Sequence, residues 1–248
     1  MNRVYWIIIL IFFFFSCKKP FERRCFKSTG EGVAKEVVLT SKIDSLFLFG
    51  NIEYTIIPSS YSKVVLVGGK NLVSLIDVDE DNHGITIRDD NKCEFLRSYK
   101  DKVKANIYID SIRYIEFGGS QYLKSQDTIR SYELRVIVKD CSGSLDLKVK
   151  NGYMSMVIAN EYADFKLAGS TLIGFLNCRS NSYGDARNFT AKNKLIVNSN
   201  SVGDMYINAN TDFLDVSINS KGNINYIGHP VNKSVSKSGK GNLIYIGN

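Results

Sequence analysis

Through the C-terminal half of the chain, apolar and polar residues alternate with a period of two, and the same short polar turn interrupts the alternation about every 20 residues. Leu145 and Leu147, Phe165 and Leu167, Met205 and Ile207, Ile224 and Tyr226, and Leu243 and Tyr245 each send alternate side chains to one face, the signature of a strand with one buried side. Each pair follows a corner of the form Asn-Ser-x-Gly-Asp/Asn. Its glycine positions are Gly143, Ala163, Gly184, Gly203, Gly222 and Gly241, in steps of 20, 21, 19, 19 and 19. Three residues earlier stand Asp140, Asn160, Asn181, Asn200, Asn219 and Ser238, short side chains that hydrogen-bond to nearby backbone and support a turn. One residue later stand Ser144, Asp164, Asp185, Asp204, Asn223 and Asn242. Six residues before the corner, Ile137, Val157, Cys178, Val197, Val216 and Val235 make an apolar column.

Segments of four to six residues rich in Val, Ile, Tyr and Asn do not fit a helical repeat, which needs ten or more residues at a 3.6 spacing. A regular period of this length marks a solenoid. The predicted fold is therefore all-β: a single-stranded right-handed parallel β-helix or β-solenoid with coils of about 20 residues, stacked about 4.8 Å apart. In such a stack, side chains about twenty apart in sequence lie over one another. Inward Leu, Ile, Val and Phe columns hold the coils together, at about 1.5–3 kcal/mol for each large side chain buried. Glycine at the corner is expected to supply positive φ, and Ala163 predicts a differently shaped corner.

Strand patterns continue upstream, at Val37 to Leu39, Leu46 to Phe49, Ile52 to Ile57, Val64 to Val67, Ile85 to Ile87 and Ile107 to Ile109, with breaks at Gly50-Asn51, Pro58-Ser59-Ser60, Gly68-Gly69 and Asp81-Asn82-His83-Gly84. The coils are less regular here. With three prolines in 248 residues and no Ser/Gly-rich linker, residues 36–248 read as one domain.

Val4 to Phe15 is an apolar run behind Arg3, too short to cross a bilayer but suited to a secretory leader. Phe14-Phe15-Ser16-Cys17 resembles a bacterial lipobox, with Phe14 where Leu is usual. That resemblance implies a leader over residues 1–16, a lipidated Cys17, and a tether over residues 17–35; an ordinary leader cut nearby is the alternative. Several acyl chains would hold the protein on a membrane, and Lys18 beside Cys17, in place of the Asp resembling an inner-membrane retention signal, favours the outer membrane, with periplasmic face and cell surface both open. The chain carries 32 Lys and Arg against 25 Asp and Glu. The excess is dispersed, and lysines such as Lys100, Lys102 and Lys104, or Lys148 and Lys150, read as a solvated face. No nucleic-acid module is present. Cys178 falls in the apolar column and reads as a small buried hydrophobe. Cys141 lies two coils away, too far for a disulfide to it, and a Cys25–Cys93 pairing stays open. Two histidines and no Cys-x-x-Cys argue against structural zinc.

Asp44-Ser45-Leu46-Phe47-Leu48-Phe49-Gly50-Asn51-Ile52-Glu53-Tyr54-Thr55-Ile56, the later repeat, the closing Gly222-Asn223-Ile224-Asn225-Tyr226-Ile227-Gly228-His229-Pro230 and Ser238-Gly239-Lys240-Gly241-Asn242 together resemble the auto-transporter adhesin head GIN domain over about residues 36–247. The resemblance departs at Asn160-Glu161-Tyr162-Ala163, where the family has Gly-Ser-Gly turns. It implies a lipoprotein-borne β-helix of adhesin type, whose partners would be a glycan or an envelope protein.

Two sets of residues are candidates for binding. Asp164, Asp185 and Asp204 read as a carboxylate ladder at about 5 Å per coil, near the separation used by retaining glycosidases. That spacing is automatic in a solenoid, and three equivalent corners do not drive two pKa values apart as acid–base catalysis requires. The Gly-Gly-x-Gly-x-Asp pattern of calcium-binding β-rolls is lacking. Turn chemistry therefore outranks both a polysaccharide-cleaving site and a cation site, and the ladder predicts that Asp185→Asn with Asp204→Asn leaves stability unchanged or slightly raised. Tyr162 and Tyr183 form the second set, read as one column that, if exposed, could stack on sugar rings or a protein partner, although a rigid cross-coil ladder stabilising the stacked strands outranks that reading. Tyr153 and Tyr206 read as outward or near a turn, and Tyr226 and Tyr245 as core. No phosphate loop, nucleophile motif or cofactor site can be assembled.

Overall fold

The computed structural model describes residues 28–81, 84–91 and 102–247; Cys17, Cys25, His83 and Cys93 lie outside them. In chain order the strands are β1 (Gly32–Val38), β2 (Ser45–Gly50), β3 (Ile52–Pro58), β4 (Lys63–Gly69), β5 (Ile76–Glu80), β6 (Gly84–Asp89), β7 (Val103–Ile109), β8 (Tyr114–Gly119), β9 (Tyr122–Ser125) and β10 (Ile129–Arg130). They continue with β11 (Glu133–Val138), β12 (Ser144–Lys150), β13 (Tyr153–Glu161), β14 (Asp164–Ser180), β15 (Gly184–Ser201), β16 (Met205–Asn208), β17 (Phe213–Ile218), β18 (Ile224–Ile227), β19 (Asn232–Lys237) and β20 (Leu243–Tyr245). One short helix, α1 (Lys70–Val73), follows β4.

The strands form two ladders that face each other across the core. One runs β5–β6–β2–β8–β11–β13, then the later parts of β14 and β15, then β17 and β19. The other runs β1–β4–β7–β3–β9–β12, then the earlier parts of β14 and β15, then β16, β18 and β20. Every pairing is parallel except β5–β6, β1–β4 and β4–β7, which close the N-terminal end with antiparallel strands. Each coil contributes one strand to each ladder, which is a β-solenoid. The layers do not follow chain order at the start: the layer holding β6 and β7 lies outside the one formed by β2 and β3, and the chain then returns to add β8 and β9 on the other side.

The stacking rule holds in register. Tyr114, Arg135, Ser155, Phe175, Ile196, Asp215 and Ser234 pair in succession, as do Val197, Val216 and Val235. The inward column is Val136, Met156, Leu176, Val197 and Val216, each buried. The expected members Ile137 and Val157 instead pair with each other facing outward, half-buried. Cys178 is buried in the neighbouring inward column between Ile158 and Ser199, where desolvation pushes its thiol up to about 12. Cys141 is also buried, with its thiol donating to the Gly119 carbonyl at 2.9 Å, and no disulfide joins the two.

Three irregularities cause the slip in register: between Ile158 and Glu161, β13 carries one residue more than the facing part of β14, which sets Gly184 over Phe165, and two further insertions follow in β15. Ala186 and Arg187 together face Leu167, and Lys192 and Asn193 together face Leu172, so β15 carries two β-bulges. Gly184 consequently pairs with Phe165 below and Met205 above; it is an inward position, and the corner column runs Gly143, Ala163, Ser182, Gly203, Gly222, Gly241. The reason is the ring of Phe165, which a Cβ on Gly184 would meet at 2.4 Å.

The corner glycines also serve a different purpose from the one expected. Among the described residues positive φ occurs at Gly30, Gly50, Gly169, Gly228 and Gly247 and at Asp140 (φ 51°), and at none of the corner glycines. A Cβ at Gly203, Gly222 or Gly241 would instead stand 2.4, 2.1 or 2.0 Å from the carbonyl oxygen of the corner residue beneath. Close stacking of backbone on backbone selects glycine here.

Candidate functional site

Two outward columns run side by side on the second ladder, because alternate residues of each strand share a face. The first reads Tyr122, Ser144, Asp164, then Tyr183, then Asp204, Asn223 and Asn242; the second reads Lys124, Asp146, Lys166, Asp185, Tyr206, Asn225 and Ile244. The carboxylate ladder therefore does not exist. Tyr183 stands between Asp164 and Asp204, and Asp185 lies one column over, between Lys166 and Tyr206. Tyr162 and Tyr183 likewise do not share a column: with Asp164 beside Tyr183, Tyr162 lies level with Asn181.

The corner carboxylates act across coils. Asp164 Oδ1 accepts the Tyr183 backbone N–H at 2.9 Å and Asp204 Oδ1 accepts that of Asn223 at 2.7 Å, while Asn223 Oδ1 accepts that of Asn242 at 2.9 Å. This is the turn chemistry expected of Asp and Asn, directed at the next coil.

Between the columns lies a groove of about 530 Å³ lined by Tyr122, Ser144, Leu145, Asp146, Asp164, Phe165, Lys166, Tyr183, Asp185 and Arg187. Three of the nominated residues, Asp164, Tyr183 and Asp185, meet there. Tyr162 is exposed outside the lining, and Asp204 sits half-buried one coil beyond. The bulge places Arg187 at the groove wall, where its Nε and Nη2 donate to the two Asp185 carboxylate oxygens at 2.9 and 2.6 Å and its backbone N–H donates to Oδ1 at 3.1 Å. The guanidinium also lies 5.0 Å from the Tyr206 ring centroid, and Tyr206 packs against Tyr183 at 5.4 Å. Fixed by these partners, Arg187 holds the Asp185 carboxyl below the usual carboxylate range. Burial, and then the Tyr206 hydroxyl, push the Tyr183 phenol up.

This arrangement suits recognition. A general acid needs a carboxyl raised toward neutrality, and Asp185 is moved the other way. Rings with open faces beside carboxylates and a fixed guanidinium offer stacking surface and hydrogen-bond acceptors in one place. Among the described residues no group of three or more His, Cys, Asp or Glu could hold a metal ion, and no helix is long and apolar enough to cross a membrane.

Tyr122, Asp146, Lys166 and Arg187 were missed from sequence. A signal for three of them was present: Tyr122-x-Lys124, Ser144-x-Asp146, Asp164-x-Lys166 and Tyr183-x-Asp185 alternate charge from coil to coil, as expected of an outward face whose like charges must not stack.

Fold and groove together define a β-solenoid with a polar, aromatic groove on one coil face. The chain belongs to the family of the putative auto-transporter adhesin, head GIN domain, whose model matches residues 43–230. Among solved structures, it is similar to a putative adhesin from Bacteroides fragilis at 24% identity and a TM-score of 0.75, over 87% of this chain and 97% of that one. A putative adhesin from Parabacteroides merdae shares 16% identity at a TM-score of 0.63, over 88% and 98%. A protein from Parabacteroides distasonis named a putative lipid binding protein shares 15% at 0.58, over 88% and 98%. These likenesses concern the fold. No curated protein matches the chain.

Proposed function

We propose that the chain is an exported adhesin-type module of the cell envelope: Cys17 carries the lipid that holds it on the outer membrane, the residues between Cys17 and β1 form a tether shorter than expected, since Gly32 to Lys35 pair with β4, and the solenoid binds an envelope glycan or protein through its coil face. The observation that carries the binding reading is the convergence of Tyr122, Asp164, Tyr183, Asp185 and Arg187 on one groove. Membership of an adhesin family supports it, and the leader-like residues 1–16 with Ser16-Cys17 support the anchor. The test uses the full-length chain and its Tyr183→Ala variant against a glycan array and solubilised envelope fractions, with Cys17→Ala examined by membrane fractionation. Saturable binding reduced by Tyr183→Ala, and release from membranes by Cys17→Ala, are expected. Binding indifferent to Tyr183, or none, would overturn the groove as the binding site; membrane retention of Cys17→Ala would overturn the anchor.

A further inference from the structure

We infer that the groove takes a neutral, β-1,4-linked glycan lying along the solenoid axis with one sugar on Tyr122 and another on Tyr183; this rests on the adhesin reading above. Tyr122 and Tyr183 occupy the same outward column, separated by Ser144 and Asp164, which is three coil spacings or about 14 Å. Tyr122 is 59% exposed and Tyr183 41%. No ring–ring contact engages Tyr122 among the described residues, which leaves the exposed part of its ring open to a ligand. Tyr183 packs against Tyr206 of the next coil at 5.4 Å, which helps hold its ring as a platform at low entropic cost, the property that makes tyrosine effective in binding surfaces.

The direction follows from the column. Extended β-1,4-linked pyranoses advance by close to one coil spacing per residue, so rings three spacings apart match sugars three apart in a glycan chain. Between them Ser144 and Asp164 face the intervening sugars, and a carboxylate and a hydroxyl are acceptors suited to sugar hydroxyls. The charge of the ligand follows from the cations. Arg187 is bound to Asp185 through both its nitrogens, and Lys166 stands in register between Asp146 and Asp185. With both cations of the lining set against carboxylates and Asp164 standing between the two rings, a uronate, phosphate or sulfate on the glycan meets net repulsion.

The probes are cello- and chito-oligosaccharides of two to six residues, titrated calorimetrically into the full-length chain, with hyaluronan and polygalacturonate fragments for comparison. Affinity is expected to rise steeply on reaching four residues and to level off beyond, with Tyr122→Ala and Tyr183→Ala each weakening the tetramer by roughly three- to tenfold and flattening the length dependence. Tyr132→Ala, at an exposed ring outside the groove, is expected to change nothing. Length-independent binding, tighter binding of the acidic fragments, or no binding of either neutral series would overturn this inference. In each of those cases, envelope binding that still depends on Tyr183 would leave the adhesin reading standing, with a protein or charged glycan as its partner.

Discussion

Replacing Gly222 by alanine tests why the corners carry glycine. The added Cβ would stand 2.1 Å from the Gly203 carbonyl oxygen and 2.8 Å from that of Ser201. To reach ordinary contact, the two coils must separate locally by roughly 1 Å. The bond from the Gly222 N–H to the Ser201 carbonyl, 3.0 Å long, would then be stretched out of range. One such bond contributes about 1 kcal/mol and overpacking about 1–3 kcal/mol, so the expected loss is about 2–4 kcal/mol. For a domain of this size that lowers the melting temperature by roughly 5–15 °C, read by circular dichroism. Gly241→Ala makes the same contact, at 2.0 Å from the Gly222 carbonyl, but in a coil paired on one side only, which can move outward; it should cost less. Gly32→Ala meets nothing within 4 Å and should stay within about 0.5 kcal/mol. Gly222→Asn separates the two explanations, because asparagine tolerates positive φ and a conformational requirement would therefore make it milder than alanine. A steric requirement makes it equal or worse. An alanine variant as stable as the parent, or an asparagine variant clearly better than the alanine one, would refute the stacking argument.

Gly184 and Phe165 should be coupled. Gly184→Ala drives a Cβ into the Phe165 ring at 2.4 Å and should cost about 1–3 kcal/mol; in the Phe165→Leu background the penalty should fall by about 1 kcal/mol or more in a double-mutant cycle of urea melts, and simple additivity would count against the packing described. Asp185 gives a pH-dependent signature. Its folded pKa is depressed by Arg187, so its contribution is present above the unfolded carboxylate value near pH 4 and is lost as pH falls through the lower folded value. The Arg187 side chain is 44% exposed and that of Asp185 22%, so solvent screening of the pair limits the effect to under about 1 kcal/mol. Asp185→Asn should therefore lower the melting temperature slightly at pH 7, and by progressively less as pH falls below about 4; a raised melting temperature at pH 7 would instead support the like-charge ladder that the register excludes.

The solenoid was legible because one physical rule, burial of every second side chain in a repeating coil, writes the same period into each repeat. What the period could not locate was the insertion. Asn181-Ser182-Tyr183-Gly184-Asp185 matches Asn200-Ser201-Val202-Gly203-Asp204 at every position but one, yet Gly184 pairs with Met205 and not Gly203. The decision is made by Phe165, whose ring in the coil below requires an inward glycine above it. A one-residue slip flips side chains to the other face, so that local packing choice dispersed the aspartates and set Tyr183 in the column of Tyr122. Asp164, Tyr183 and Asp185 thus meet in one groove while Tyr162 and Asp204 lie outside it, and the expected columns differ from the observed ones because the grouping depends on the register shift in β13 and the two bulges in β15. The layer order at the N-terminal end was hidden for a related reason: alternation in β2, β3, β6 and β7 gives the same reading whichever of their layers lies outermost.

The last coil separates register from burial. β19 stacks on β17 with Lys233 over Leu214, Val235 over Val216 and Lys237 over Ile218; two inward apolar positions have become lysines. Lys237 donates to Asn242 Oδ1 at 2.7 Å, and lysine stems can lie over apolar surface while the ammonium groups stay in water. Val235 and Tyr245, inward by column, are 47% and 45% exposed because a coil lies on one side of them only. Tyr245 stacks on Tyr226, its partner in the coil beneath, at 5.4 Å, and packs against His229 at 5.5 Å. An uncovered strand edge invites pairing with another chain, and lysines along it oppose that pairing. The substitution of Lys for Leu and Ile at positions that stacking would otherwise bury marks β19 as the face where the apolar column meets water, so the same column rule that fills the interior also identifies the end of the stack.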